Sequence, residues 1–290
     1  MARPSSLITR RAAPDVAADF TRYAFMLPTS IGVASTCQLC GIGGAALFSP
    51  IFLLVFPLLG DAYPLESAAA AVACALLTEA FGFSSGLIGY SRKGLVSWDV
   101  ASEFATISVP VALLGAAAAP SLAANTQLLR AVYAVLMLSL SWKLAGGGGD
   151  AAASTDGAAS TAARDGTAAT AGGAFLTGLL GVGIGEVVLP QLTRGRGMPI
   201  PSAAGTSVAV VTVTAAAAAV AQLAQLAAAA DDAAGVVPWE LVCYTVPGVI
   251  VGGQIAPRLA GRLDDATIER AAAVLFGVVG LAFAAKAAAG

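Results

Sequence analysis

Histidine is absent from this chain, and charge is scarce: 11% of its 290 residues are Asp, Glu, Lys or Arg. Without His, a Cys/His metal site is excluded. A soluble domain carries roughly 25% charged residues, so a chain this poor in charge and 58% hydrophobic cannot clothe a soluble surface. A basic patch or stripe is also missing, which excludes nucleic acid as a partner. The formal net charge of −2 points to no other. Alternating ten-residue segments of the kind that build outer-membrane barrels are absent. No apolar signal-peptide core precedes residue 23.

What is present is length without charge. No charged residue occurs from Tyr23 to Gly60, Phe104 to Leu129, Gly166 to Gly185, Gly197 to Ala230, Leu241 to Pro257, or Ala271 to Ala285. A helix needs about 20 mostly apolar residues to cross a bilayer. The expected fold is therefore an all-α integral membrane protein, multi-pass, with the lipid bilayer as its first partner. Eight apolar segments are legible, at 23–59, 65–91, 99–120, 127–145, 172–193, 202–230, 238–260 and 267–288. The first is long enough to be a broken helix or a re-entrant pair.

Residues 1–22 read as an Arg-bearing tail, 23–145 as a first membrane repeat, 146–171 as a flexible Gly/Ala/Ser/Thr linker, and 172–290 as a second repeat. The repeats rest on four similarities in one order. "GIGGAALFSP" (41–50) answers "GVGIGEVVLP" (181–190), and "ESAAAAVACALLTEA" (66–80) answers "PSAAGTSVAVVTVTA" (201–215). "GLVSWD" (94–99) answers "GVVPWE" (235–240). Pro110 and Gly115 then answer Pro247 and Gly252. Duplicated halves with substrate held between them characterise transporters. If each segment crosses once, nine basic residues fall on the N-terminal side and six on the other, which favours an inside N-terminus. The halves nonetheless distribute those residues differently, as inverted repeats with re-entrant first segments would.

The glycine clusters suit close helix packing. They also suit a second role. A break at Gly41, Gly43 and Gly44, and another at Gly183 and Gly185, would start new half-helices whose N–H groups attract anions. Irregular backbone survives in a membrane only where it lines a cavity or is buried in protein. Two acidic residues lie within spans, Glu79 and Glu186. Intramembrane carboxyls are costly and usually functional. Low dielectric disfavours the charged form, so both are candidates for proton coupling. Thr206 and Ser207 follow the second cluster, and Gln191 flanks it; all three are candidate substrate-binding residues. Ser84, Ser85, Thr212 and Thr214 can bond an anion or their own helix. Arg92/Lys93, Arg194/Arg196 and Arg258/Arg262 read as interfacial anchors or as an anion funnel. Trp98 and Trp239 suit the aromatic belts.

All four cysteines (Cys37, Cys40, Cys74 and Cys243) lie in apolar runs. Cys37 and Cys40 form one C-x-x-C that no second ligand pair matches, so small-hydrophobe packing is the first reading. A membrane-embedded thiol redox protein is the alternative, and a passive anion channel another.

The ordered set "GIGGAALFSP", "GLVSWD", "GVGIGEVVLP", "AAGTS" and "GVVPWE" resembles the sulfite exporter TauE/SafE family, also called TSUP permeases, over residues 31–288. The resemblance implies a secondary transporter of small sulfur-containing anions and no enzyme activity. It implies seven to eight spanning segments and an internal duplication. It places the family's glycine motif on Gly41, Gly43, Gly44, Gly181, Gly183 and Gly185, and its small-polar motif on Ala204 to Ser207. Two positions depart from it: Glu186 stands where members often carry glycine, and Tyr90 where many carry His. The expectation is then a permease for sulfite or an organosulfonate, coupled to protons. It needs no cofactor or metal, takes a small anion as partner, and is compatible with a homo-oligomer. It would sit in the plasma membrane, with an organelle membrane as the alternative.

Overall fold

A computed structural model describes residues 21–39, 41–60, 67–142, 145, 159–229, 238–260 and 265–288, and no strand occurs among them. The first half holds α1 (Met26–Leu39), α2 (Ala45–Leu59), α3 (Ala68–Arg92), α4 (Trp98–Ala123) and α5 (Thr126–Trp142). The second holds α6 (Ala159–Leu180), α7 (Ile184–Pro190, extended by Gln191–Gly195), α8 (Ile200–Ala229), α9 (Trp239–Leu259) and α10 (Asp265–Ala288). α3, α4 and α8 are long and apolar enough to cross a membrane. α5, α2 and the stretch Ala273–Ala288 are shorter apolar helices. α3 starts where Ser67 turns extended and its hydroxyl accepts the Ala70 amide at 3.1 Å, an N-cap.

The first and fifth apolar segments are not single crossings. Each is a helical hairpin. Gly41 (φ +62°) and Gly181 (φ +82°) reverse the chain in a region that only glycine enters at little cost. Along α6 and α7 the contacts run antiparallel. The Ile184 amide donates to Thr177 Oγ1 at 2.8 Å, Gly173 faces Gly183 and Val187, and Gln191 Nε2 donates to Thr170 Oγ1 at 3.1 Å. At the base of the other hairpin Tyr23 and Phe56 lie 5.7 Å apart, ring to ring. The sequence leaves both readings open, a single crossing in the charge count and a broken or re-entrant helix at each glycine motif; the hairpins follow the second.

The descending arms share one more feature. Proline has no N–H and its ring crowds the carbonyl four residues back. After Pro50 and after Pro190 the helix accordingly loosens into a five-residue π stretch, Ile51–Val55 and Gln191–Gly195. Phe56 N bonds Ile51 O and Arg196 N bonds Gln191 O, each across five residues. Such π turns cluster at functional sites.

Helix pairing crosses between the halves. α1 packs on α9 and α6 on α4; α3 packs on α8 and α9; α8 packs on α4; α5 packs on α10. Lys93 donates to the Pro257 carbonyl, and the Ser97 amide donates to Thr206 Oγ1 at 3.0 Å. These contacts gather the end of α3, the start of α4, the start of α8 and the end of α9 at one face. The base of the α6/α7 hairpin lies there too, through Arg196 and Glu103. The base of the α1/α2 hairpin lies at the opposite face, where Tyr23, Phe56 and Leu241 share a cluster. The hairpins thus enter from opposite ends, called below the Arg196 end and the Tyr23 end.

Small residues set the helix spacing. A Cβ at Gly115 would stand 2.1 Å from the Phe175 carbonyl oxygen, one at Gly178 1.8 Å from that of Ala112, and one at Gly252 2.6 Å from that of Ile31. Backbone touches backbone at each point. Gly178→Ala must therefore push α6 off α4. Overpacking costs about 1–3 kcal/mol, and the thermal midpoint of the purified protein in detergent should fall by several degrees. An unchanged midpoint would contradict the packing.

The linker expectation also changes. α6 begins at Ala159, inside the stretch 146–171 read as flexible, while 146–158 lies outside the described residues. "AASTAA" is rich in alanine, the best helix former, so low complexity there does not mean loop. Cys37 is buried in the cluster of α5, α10 and the first hairpin, and Cys40 lies outside the described residues.

Candidate functional site at the hairpin tips

The two glycine turns meet. A Cβ at Gly185 would stand 2.7 Å from Gly41 O, 2.9 Å from Gly43 N and 3.2 Å from Ile42 Cα. One at Gly181 would touch Ala45 Cβ at 3.0 Å. Ser207 Oγ donates to Gly41 O at 3.2 Å. Two hairpins from opposite ends thus touch tip to tip in the interior, with Gly41, Gly43, Gly185 and Ser207 at the contact.

Both acidic residues are there. Glu79, on α3, and Glu186, in the first turn of α7, are buried and close enough to interact electrostatically. The Gly44 and Ala45 amides, at the start of α2, face the Glu79 carboxylate closely enough to donate to it. The Gly183 amide donates to Glu186 Oε2 at 3.1 Å, so the Glu186 side chain reaches back to the amide at the start of its own helix, as the N3 residue of a capping box does. Glu79 Oε2 is buried with no hydrogen-bond partner among the described residues. A Cβ at Gly43 would reach Glu79 Oε1 at 2.8 Å, whereas one at Gly44 meets nothing closer than Phe83 at 3.5 Å. Four N–H groups at the expected breaks, those of Gly44, Ala45, Gly183 and Ile184, are in this conformation taken by the chain's own carboxylates and by Thr177.

Other expected residues are elsewhere. Thr206 is buried and takes the Ser97 amide, so it packs the α3–α4 connection against α8. Gln191 lies five residues beyond Glu186, about 7.5 Å along the helix, and bonds Thr170. Gln38 donates to Gly82 O at 2.9 Å and Gln222 to Gly178 O; both lock helices. Thr212, Thr214 and Ser84 bond their own helix backbones. Thr177 was not foreseen. A lone Thr in an apolar run announces nothing until the hairpin turns the Ile184 amide onto it.

An open cleft of about 380 Å³ lies at the Arg196 end, lined among others by Glu103, Phe104, Thr170, Gln191 and Arg196. Arg196 bonds Glu103 at 2.5 Å and lies 5.2 Å from the Phe104 ring centroid. The bond to Glu103 holds the guanidinium above its ordinary pKa. Trp98 and Trp239 are exposed at the starts of α4 and α9, hence at opposite ends, as two aromatic belts require.

A comparison with known protein families agrees with a membrane-spanning helical protein. The family described as Sulfite exporter TauE/SafE matches residues 26–283. The chain belongs to the sulfite exporter TauE/SafE family. Neither the curated proteins nor the solved structures yielded a match. TauE/SafE membership makes this a multi-pass membrane protein of a transporter family rather than an enzyme family. In this TauE/SafE member, the residues that carry the family resemblance in sequence, "GIGG" and "GVGIGE", are those that meet at the tips.

Proposed function

We propose that this TauE/SafE protein is a proton-coupled secondary transporter of a small sulfur oxyanion, sulfite or an organosulfonate, built as two inverted repeats. The observation that carries the reading is the contact of two hairpin tips beside two buried carboxyls, Glu186 on the second hairpin and Glu79 on α3. Exchange of the halves maps α1·α9 onto α6·α4, α3·α9 onto α8·α4, and α3·α8 and α5·α10 onto themselves. Each half also contributes to two buried hydroxyl pairs between the halves, Thr78–Thr245 (3.2 Å) and Ser108–Thr214 (2.7 Å). Inverted repeats with half-helices meeting near the midplane are the usual seat of substrate in secondary transporters.

Glu79 and Glu186 occupy the donors that an oxyanion would want. Two charged carboxylates in one buried space repel, and a proton on one relieves this. Protonation also weakens that carboxyl's hold on its amides, which then become available to substrate. Gly41, Gly43, Gly44, Gly183, Gly185 and Ser207 would frame the anion, with Gln191 on its approach. Proton and oxyanion then move together.

With the hairpins returning to their own sides, the basic residues redistribute. Arg92, Lys93, Arg194, Arg196, Arg258 and Arg270 fall at the Arg196 end; Arg22, Arg130 and Lys286 fall at the Tyr23 end. Positive-inside counting puts the Arg196 end in the cytoplasm and reverses the N-terminal orientation that eight single crossings favoured. A plasma-membrane location suits an exporter.

Reconstituted into liposomes, the protein should carry radiolabelled sulfite, thiosulfate or sulfoacetate faster under a proton gradient than without one. Equal flux in both conditions would make it a passive channel. No flux of any of the three would overturn the substrate class.

A further inference from the structure

The motifs "GIGG" and "GVGI" stand 140 residues apart, so each residue of one hairpin has a counterpart in the other. Thr170 answers Ser30, Gln191 answers Ile51, and Arg196 answers Phe56. At the Arg196 end these positions border the open cleft. At the Tyr23 end the matching space is filled. Met26, Phe52 and Phe56 are buried there, Phe52 and Phe56 stand 5.2 Å apart and Tyr23 caps them. Within that packing the Ser30 hydroxyl is completely buried and has no hydrogen-bond partner among the described residues. A stranded hydroxyl costs about 1–3 kcal/mol, a cost relieved wherever this end opens to water.

The cleft's lining carries one guanidinium, Arg196, opposite one carboxylate, Glu103, with polar side chains between it and the tips. Gln191 Nε2 donates to Thr170 Oγ1, which donates on to Gly166 O at 2.9 Å. Arg196 stands over Phe104 at the mouth, which orients its guanidinium. Its carboxylate partner is easily exchanged. The two side chains are 37% and 59% exposed, and such pairs are worth about 0–1 kcal/mol. An oxyanion offers the same guanidinium a second, bidentate acceptor.

We propose that this cleft is the loading site for the transported oxyanion, where Arg196 passes from Glu103 to the substrate while the Tyr23/Phe52/Phe56 cluster shuts the opposite end. The proposal rests on the transport reading above and adds the entry site, the residue that meets the substrate, and the end that is closed. Arg196 then acts before the tips do. It captures the anion at the cytoplasmic face, and Glu103 keeps the site from holding it too tightly.

Two measurements on the full-length protein test this. Thr167→Cys, in the cleft, and Ser30→Cys, at the shut end, are each made in a Cys243→Ser background. A membrane-impermeant maleimide should label Thr167→Cys at least about 10-fold faster, and from one side only; equal rates overturn the closed end. In sulfite flux, Arg196→Gln should raise the half-saturating concentration about 10-fold with the maximal rate little changed, and Glu103→Gln should lower it. An unchanged half-saturation in Arg196→Gln overturns the loading site while wild-type flux leaves the transport reading standing. Absence of oxyanion flux in the wild type, with asymmetric labelling intact, instead removes the transport reading.

Discussion

Gly185→Ala abolishes transport, whereas Gly44→Ala leaves it nearly intact. The two glycines look alike in sequence, each within a G-x-G motif. Their surroundings differ. The added methyl at residue 185 meets three backbone atoms of the facing hairpin, Gly41 O, Gly43 N and Ile42 Cα, all within 3.2 Å. Backbone cannot swing aside as a side chain can, so the tips must separate by several tenths of an ångström or more. Displacing catalytic or binding groups by about 1 Å can cost about 100-fold in rate, and that is the loss expected in sulfite flux. At residue 44 the methyl finds Phe83 at 3.5 Å and Phe48 at 3.8 Å, ordinary contact distances. The check is flux per mole of protein in liposomes, with folding controlled by elution profile and thermal midpoint. Similar losses in both variants would mean that the motif matters for something other than tip contact.

Glu79→Gln and Glu186→Gln should each uncouple flux from the proton gradient. Glutamine keeps the size and one acceptor oxygen, so the Gly183 amide in one case and the Gly44 and Ala45 amides in the other still find a partner. What disappears is the group that changes charge. Each variant should therefore fold, and its sulfite flux should no longer respond to a proton gradient that accelerates the wild type. Removing a positioned proton-transfer group costs roughly 100-fold or more in catalysis; in coupled flux the loss should be at least 10-fold. A gradient response equal to that of the wild type in both variants would remove the carboxyl pair from coupling.

Much of this was legible in the sequence because membranes impose coarse rules. Charge-free runs marked the helices, Pro50 and Pro190 marked the ends of the glycine motifs, and Glu79 and Glu186 stood out because a charge is expensive there. Thr206 stood out equally, and in the structure it is buried and its hydroxyl takes the Ser97 amide. The sequence places it two helical turns into no particular face; only the Ser97 amide bonded to it explains it. Gln191 was read as part of the central site and lies about one and a half helical turns beyond Glu186, bonded to Thr170. Glu103 and Arg196, 93 residues apart, carried no mutual signal at all. The linker misled for a simpler reason: alanine-rich sequence can be coil or helix, and α6 needs α4 beside it to decide.

Hydrophobicity and helix-breaking residues act locally, so the sequence by itself determined a helical membrane protein with two glycine breaks and an intramembrane acidic residue in each half. Direction is not local. Whether an apolar stretch of 37 residues crosses or doubles back depends on whether another hairpin is there to bury its polar tip. Only the tertiary structure decided that both double back, that they enter from opposite ends, and that Gly185 lands on Gly41 and Gly43. It likewise decided which end stands open, since Phe56 and Arg196 occupy equivalent positions and differ in what packs around them.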